Sequence, residues 1–194
     1  MNTEMFIELE NRSLTVDQAI NAGFSHAGYA KIEEMEFLED VRKMCEVNKC
    51  GKYNTTWSCP PACGTLEAVT DRVKKYDYAM ILQATEDMED AYDWEAIQRA
   101  QKRCGESLRK LVKELKNNNV DVLGMGAGGC DKCKGKELNC TYPNNPCRFP
   151  DELSFSMEAC GLFVSRECEK AGMKYYYGPN TMTINATIFV KENE

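Results

Sequence analysis

Residues 78–82 read Tyr78-Ala79-Met80-Ile81-Leu82, an apolar run without a charged side chain. A strand sends alternate side chains to opposite faces, so a run of this kind suits a strand covered on both of them. Its surroundings agree with an interior strand flanked by helices. A helical pattern over 65–76 leads into it, with Leu66, Val69, Val73 and Tyr76 on one side. A longer one over 94–116 follows, carrying Ile97, Ala100, Cys104, Leu108, Leu111 and Leu115 at spacings of three and four. Asn117-Asn118-Asn119 stops it, and 120–125 reads as the next strand.

Further out, 16–21 reads as a short helix stopped by Gly23, 24–30 as a strand, and 34–44 as a helix with Met35, Leu38, Val41 and Met44 as its stripe. Beyond the middle, 155–170 reads as a helix carrying Met157, Cys160, Val164 and Cys168. The C-terminal part has Tyr175-Tyr176-Tyr177, a Gly178-Pro179-Asn180 turn, and an alternating strand of Met182, Ile184, Ala186, Ile188 and Val190. That pattern predicts a hairpin. The expected fold is α/β: a mixed sheet with flanking helices and an antiparallel C-terminal hairpin, in one domain over 1–194. Two cysteine-rich loops, 45–63 and 130–150, interrupt it.

The 194 residues are 43% hydrophobic and 28% charged, so the chain can build a core without covalent staples. A net charge of −7, with the basic residues scattered along helices, argues against a nucleic-acid footprint. No stretch approaches the roughly 18–20 apolar residues of a membrane span. The acidic start, Met1-Asn2-Thr3-Glu4, lacks the features of an export signal, so a cytoplasmic, reducing setting is expected for the eleven cysteines. Many thiols in a chain that needs no disulfides point to metal. With His26 the single histidine, the ligands must be almost purely thiolate, which suits iron–sulfur clusters, zinc or copper(I).

Eight cysteines fall into two groups of four. The first is Cys45-x4-Cys50-x8-Cys59-Pro-Pro-x-Cys63; the second is Cys130-x2-Cys133-x6-Cys140-x6-Cys147. Gly, Pro and Asn around them let the backbone wrap and aim side chains inward. Structural zinc favours paired short knuckles, and of these only Cys130-x2-Cys133 is a good one. Iron–sulfur clusters accept irregular spacings, and the prolines after Cys59 and near Cys147 resemble the Cys-Pro end of a ferredoxin run. The spacing therefore favours one or two iron–sulfur clusters of the 4Fe–4S kind, held by Cys45, Cys50, Cys59 and Cys63 and by Cys130, Cys133, Cys140 and Cys147. Zinc is the alternative, and one cluster shared between the loops is a sub-case. The helices expected from about Thr65 and Phe155 would turn positive dipole ends towards both groups. Arg148 could offset charge beside Cys147, and Trp57 could cover the first group.

Three strings then carry a resemblance: KYNTTWSCPP (52–61), NPCRFP (145–150) and SMEACG (156–161). They resemble the signature segments of an uncharacterised cysteine-rich family of predicted metal-binding proteins, a domain of unknown function found mostly in anaerobic bacteria and archaea. The resemblance runs from about Cys45 to Val164 and implies metal binding by the cysteines without an established reaction.

Other signals have plainer readings. Gly124-x-Gly126-x-x-Gly129 mimics a dinucleotide fingerprint but runs into Cys130 rather than a helix. Cys104, Cys160 and Cys168 read as small core residues, His26 as a packed strand residue, and Glu158 as a helix-end charge or a carboxylate near a cluster. Three functions stay open: electron transfer or a redox accessory role with a redox partner protein, a zinc-stabilised interaction module, and an enzyme using an open iron. Lys132, Lys134 and Lys136 make the second loop the expected docking face for an acidic partner.

Overall fold

In a computed structural model, which describes residues 12–133 and 138–192, the apolar run lies within strand β2 (Tyr78–Asp87). Its main partner is β5 (Thr181–Lys191), paired antiparallel from Tyr78 opposite Val190 to Asp87 opposite Thr181. β1 (His26–Ala30) pairs antiparallel with the outer edge of β2. On the other side β5 pairs antiparallel with β3 (Asp121–Gly126), and β3 pairs parallel with the two-residue β4 (Phe155–Ser156). The order β1-β2-β5-β3-β4 makes a mixed five-stranded sheet.

Side-chain alternation sorts the core into two layers. Met80, Leu82 and Ala84 of β2 join Ile184, Ala186, Ile188 and Val190 of β5 on one face. Helix α1 (Val16–Ala22) and helix α4 (Trp94–Asn117) cover that face, α4 through Ala100, Cys104, Leu108, Leu111 and Leu115. Ala79, Ile81 and Phe189 point the other way, against Val69 and Val73 of helix α3 (Leu66–Val73) and Val164 and Cys168 of helix α5 (Val164–Lys170). The remaining described helix, α2 (Glu39–Glu46), buries Val41. Each fully buried large aliphatic side chain contributes about 1.5–3 kcal/mol relative to exposure, so the burial of both faces of β2 and β5 dominates the fold.

Local chemistry sets the helix limits. Thr15 and Gln18 form a reciprocal capping box on α1, Thr65 accepts the Ala68 N–H at 3.1 Å, and Asp93 accepts the Ala96 N–H at 2.9 Å. α4 ends at Asn117, and Asn119 adopts φ +60°, a left-handed conformation that asparagine tolerates.

Three expectations change. The stretch 155–170 is not one helix: Phe155–Ser156 is strand, tight turns follow, and α5 begins at Val164. Gly161, at φ +87°, breaks the path, and its carbonyl accepts the Leu38 N–H at 2.8 Å. Met157, Cys160, Leu162, Val164 and Cys168 still share one core cluster, which is why their spacing imitates a helix. The helix placed over 34–44 starts at Glu39, because Phe37 bridges to Leu162. The C-terminal strand is antiparallel as expected, but β2 and β3 are its partners. Tyr175–Tyr177 form no strand; the Tyr177 ring stacks on His26 at 4.4 Å and its hydroxyl donates to Gln83 Oε1 at 2.8 Å.

The glycines of the false nucleotide motif serve packing. A Cβ on Gly124 would meet Val112 Cγ2 at 2.9 Å, and one on Gly126 would meet Leu108 Cδ2 at 3.4 Å, so their absence lets α4 lie close on β3.

Candidate metal centre

β3 ends at Gly126, and the chain leaves the sheet into the second cysteine loop. Cys130, Cys133, Cys140 and Cys147 line one cavity, together with Trp57, Lys132, Phe149 and Leu153. All four are free thiols and half-buried. Hydrogen bonds within the loop hold its shape: Asn145 N–H donates to the Thr141 carbonyl at 3.0 Å, and Thr141 Oγ1 donates to the Pro146 carbonyl at 2.9 Å. Arg148 Nη1 donates to the Asn139 carbonyl at 2.7 Å and lies 3.9 Å from Cys133 Sγ. This cation therefore sits against the Cys133 side chain.

The first loop is arranged less evenly. Cys45 lies in the last turn of α2, Cys50 is exposed, and Cys59 and Cys63 are buried. Burial pushes the Cys45 thiol pKa up; Cys50, Cys59 and Glu158 add to this through their charge, while Arg42 opposes it. Cys50, Cys59 and Glu158 thus each lie within electrostatic reach of Cys45. Cys63 faces inward, with its Sγ donating to the Ala159 carbonyl at 3.5 Å. Burial raises its pKa too, against the pull of Arg42. Cys160 is pushed up to about 12 by burial, with Cys63 next in effect. Among the described residues, no three His, Cys, Asp or Glu side chains are drawn together closely enough to grip a metal ion as they stand.

The two loops touch. Ser58 Oγ accepts the Cys130 N–H at 2.8 Å, and a Cβ on Gly129 would lie 3.4 Å from Cys59 Sγ. Trp57 reaches across, its Nε1 donating to the Asn145 carbonyl at 3.1 Å and to Thr141 Oγ1 at 3.3 Å. Tyr142 meets the Trp57 ring edge-on at 5.0 Å and donates its hydroxyl to Asn54 Oδ1 at 2.5 Å. Residues of the first loop therefore roof the cavity of the second.

Several expected roles move. Trp57 covers the second group rather than the first. Thr65 does cap a helix directly after Cys63, but no helix starts near Phe155, so the second loop has no dipole there. Lys132 is ion-paired with Glu152, and Lys134, Lys136 and Glu137 lie outside the described residues. Glu158, in a tight turn, stands near Cys45, and burial raises its pKa although the residue keeps exposed surface. Sequence spacing missed Phe149 and Leu153 as cavity walls. The adjacency of Phe149 to Cys147-Arg148 inside NPCRFP was the available signal.

Eight free thiols thus lie on two touching loops, beside a sheet that offers no other constellation of this density among the described residues. The chain belongs to the family described as "Predicted metal-binding protein (DUF2284)", whose model matches residues 29–190. Neither the curated proteins nor the solved structures compared with the chain gave a match. The donor chemistry fits that description: free thiols around one cavity, with arginines close by, suit a soft, thiolate-bound metal.

Proposed function

We propose that the protein holds one or two iron–sulfur clusters on its cysteine loops and passes electrons to a redox partner protein. The observation that carries this reading is the convergence of Cys130, Cys133, Cys140 and Cys147 on one cavity. These four would hold one cluster; Cys45, Cys50, Cys59 and Cys63 are the ligands proposed for the other. When bound, a four-iron cluster supplies reversible one-electron transfer. The chain's own residues set the conditions for it. Trp57, Phe149 and Leu153 wall the cavity that the half-buried thiols line, and Arg148 would offset the negative charge of a cluster bound there. The contact of Ser58 and Cys59 with Gly129 and Cys130 places the two loops edge to edge, which suits electron passage between them.

Anaerobic purification followed by iron and acid-labile sulfide analysis tests the proposal. Iron and sulfide in equal amounts, with a broad absorption band near 400 nm, are expected. A colourless protein with tightly held zinc and no sulfide would overturn the redox reading in favour of a zinc-stabilised interaction module, for which Cys130-x2-Cys133 has the spacing.

A further inference from the structure

Among the described residues, Arg42 carries a buried side-chain nitrogen that has neither a hydrogen-bond partner nor an ion pair. Its Nη2 donates to the Gly64 carbonyl at 2.8 Å, which fixes the guanidinium beside Cys63-Gly64. Its Nη1 is buried without a hydrogen-bond partner among the described residues. Two other buried side-chain atoms lack a hydrogen-bond partner, yet both belong to groups with an opposite charge at hand. Arg103 Nε lies 3.0 Å from Glu86, and Glu167 is paired with Lys170 at 3.2 Å. No carboxylate lies within ion-pair distance of Arg42 among the described residues, Glu158 included. Arg42 as a whole is half-buried, but a buried donor such as Nη1 that is left without an acceptor is costly.

Position shows what that nitrogen is for. Arg42 precedes Cys45 by three residues on α2, and such residues share a helix face. Its anchor, Gly64, directly follows Cys63. The guanidinium thus spans the two ends of the first loop, and its charge acts on Cys45, Cys63 and Cys160 together. A guanidinium has five donors in a planar fork and cannot lose its proton, so it suits a permanently anionic guest.

We infer that Arg42 is a binding residue of the first cysteine loop, its free Nη1 donating to the anionic, thiolate-bound metal centre proposed for Cys45, Cys50, Cys59 and Cys63. This inference rests on the metal reading above and adds a residue and a charge requirement to it. A set of thiolates around a metal carries net negative charge, and the free donor offsets it without competing as a ligand. Groups of this kind typically change metal affinity about tenfold or more.

The test uses the full chain as wild type, Arg42→Gln and Arg42→Lys, each stripped of metal and then reconstituted anaerobically with ferrous iron and sulfide. The readouts are alkylation of each cysteine under chelator challenge, mapped by peptide mass, and the melting temperature of the metal-free form. In Arg42→Gln, protection of Cys45, Cys50, Cys59 and Cys63 should fall about tenfold, with Cys130, Cys133, Cys140 and Cys147 unaffected and metal-free melting unchanged. Arg42→Lys should fall in between, since it keeps the charge and loses the fork. Unchanged protection of the first-loop thiols would overturn the assignment. So would a lowered metal-free melting temperature that accounts for the loss, which would make Arg42 a structural tie to Gly64. If wild-type thiols gain no protection at all, the metal reading itself fails and this inference with it. If inorganic phosphate raises the wild-type melting temperature but not that of Arg42→Gln, while iron protects both equally, the site takes a free anion instead.

Discussion

At the residue scale, burial separates the thiols into two populations. Cys104 and Cys168 are pushed up to about 12 and about 11, each by burial first, whereas Cys50 is exposed on its loop. Because the thiolate is the reactive form, alkylation of metal-free protein at pH 8 should modify Cys50 first and leave Cys104 and Cys168 last. Peptide mapping over time checks this, and equal rates would mean that the core opens as readily as the loop. Glu167 offers a pH test of the same kind. It is fully buried, with Oε1 accepting the Glu36 N–H at 3.3 Å and facing Lys170, while Oε2 has no partner among the described residues. Burial raises its pKa above the ordinary 4.5, with Lys170 opposing. The folded state therefore keeps this proton where the unfolded state has lost it, and stability falls as pH rises above about 4.5 through the folded pKa. Glu167→Gln should flatten that decline and raise stability at neutral pH, read from denaturant midpoints across the pH range.

At the element scale, tight backbone approaches decide what the chain tolerates. Gly161 holds φ +87°, and a Cβ there would meet the Leu38 carbonyl oxygen at 3.2 Å and its nitrogen at 3.3 Å. Gly161→Ala should cost about 1–3 kcal/mol from the left-handed conformation alone, with the Leu38 contact adding to it. Thermal unfolding measures this, and a loss below about 0.5 kcal/mol would contradict the turn. The same turn shows what was legible beforehand and what was not. β2, α4 and the antiparallel β5 could be read because long apolar periodicities survive in them. The segment 155–163 could not, since strand, turn and core contact placed Met157 and Cys160 at helix-like spacing without a helix. The second-loop cysteines, clustered in the sequence, also line one cavity in the fold. The roof supplied by Trp57 was not, because it joins residues far apart in sequence through Thr141 and Asn145. Arg42 was equally invisible, because an unsatisfied donor exists only once neighbours have been placed around it.

At the scale of the whole molecule, the cysteine loops contribute few of the buried apolar side chains that hold the two core layers together. Ligation would then have to offset much of the loops' ordering entropy. Chelating the metal should increase proteolysis within 47–63 and 138–149 while sparing α4 and the β2–β5 pair, as read by fragment mapping. Equal resistance with and without metal would show that the loops stand without it. The sheet order also sets a timetable. β5 lies between β2 and β3, so it joins the half of the sheet entered from the first loop to the half that launches the second. Yet of the five described strands it is synthesised after the other four, once both loops have emerged. At about 5–20 residues per second, a nascent chain exposes all eight loop thiols for seconds before the strand that brings the loops together exists. During that interval the thiols are open to oxidation and to the wrong metal, because the contact of Ser58 with Cys130 that seats the two loops together waits on residues 181–191 joining the sheet.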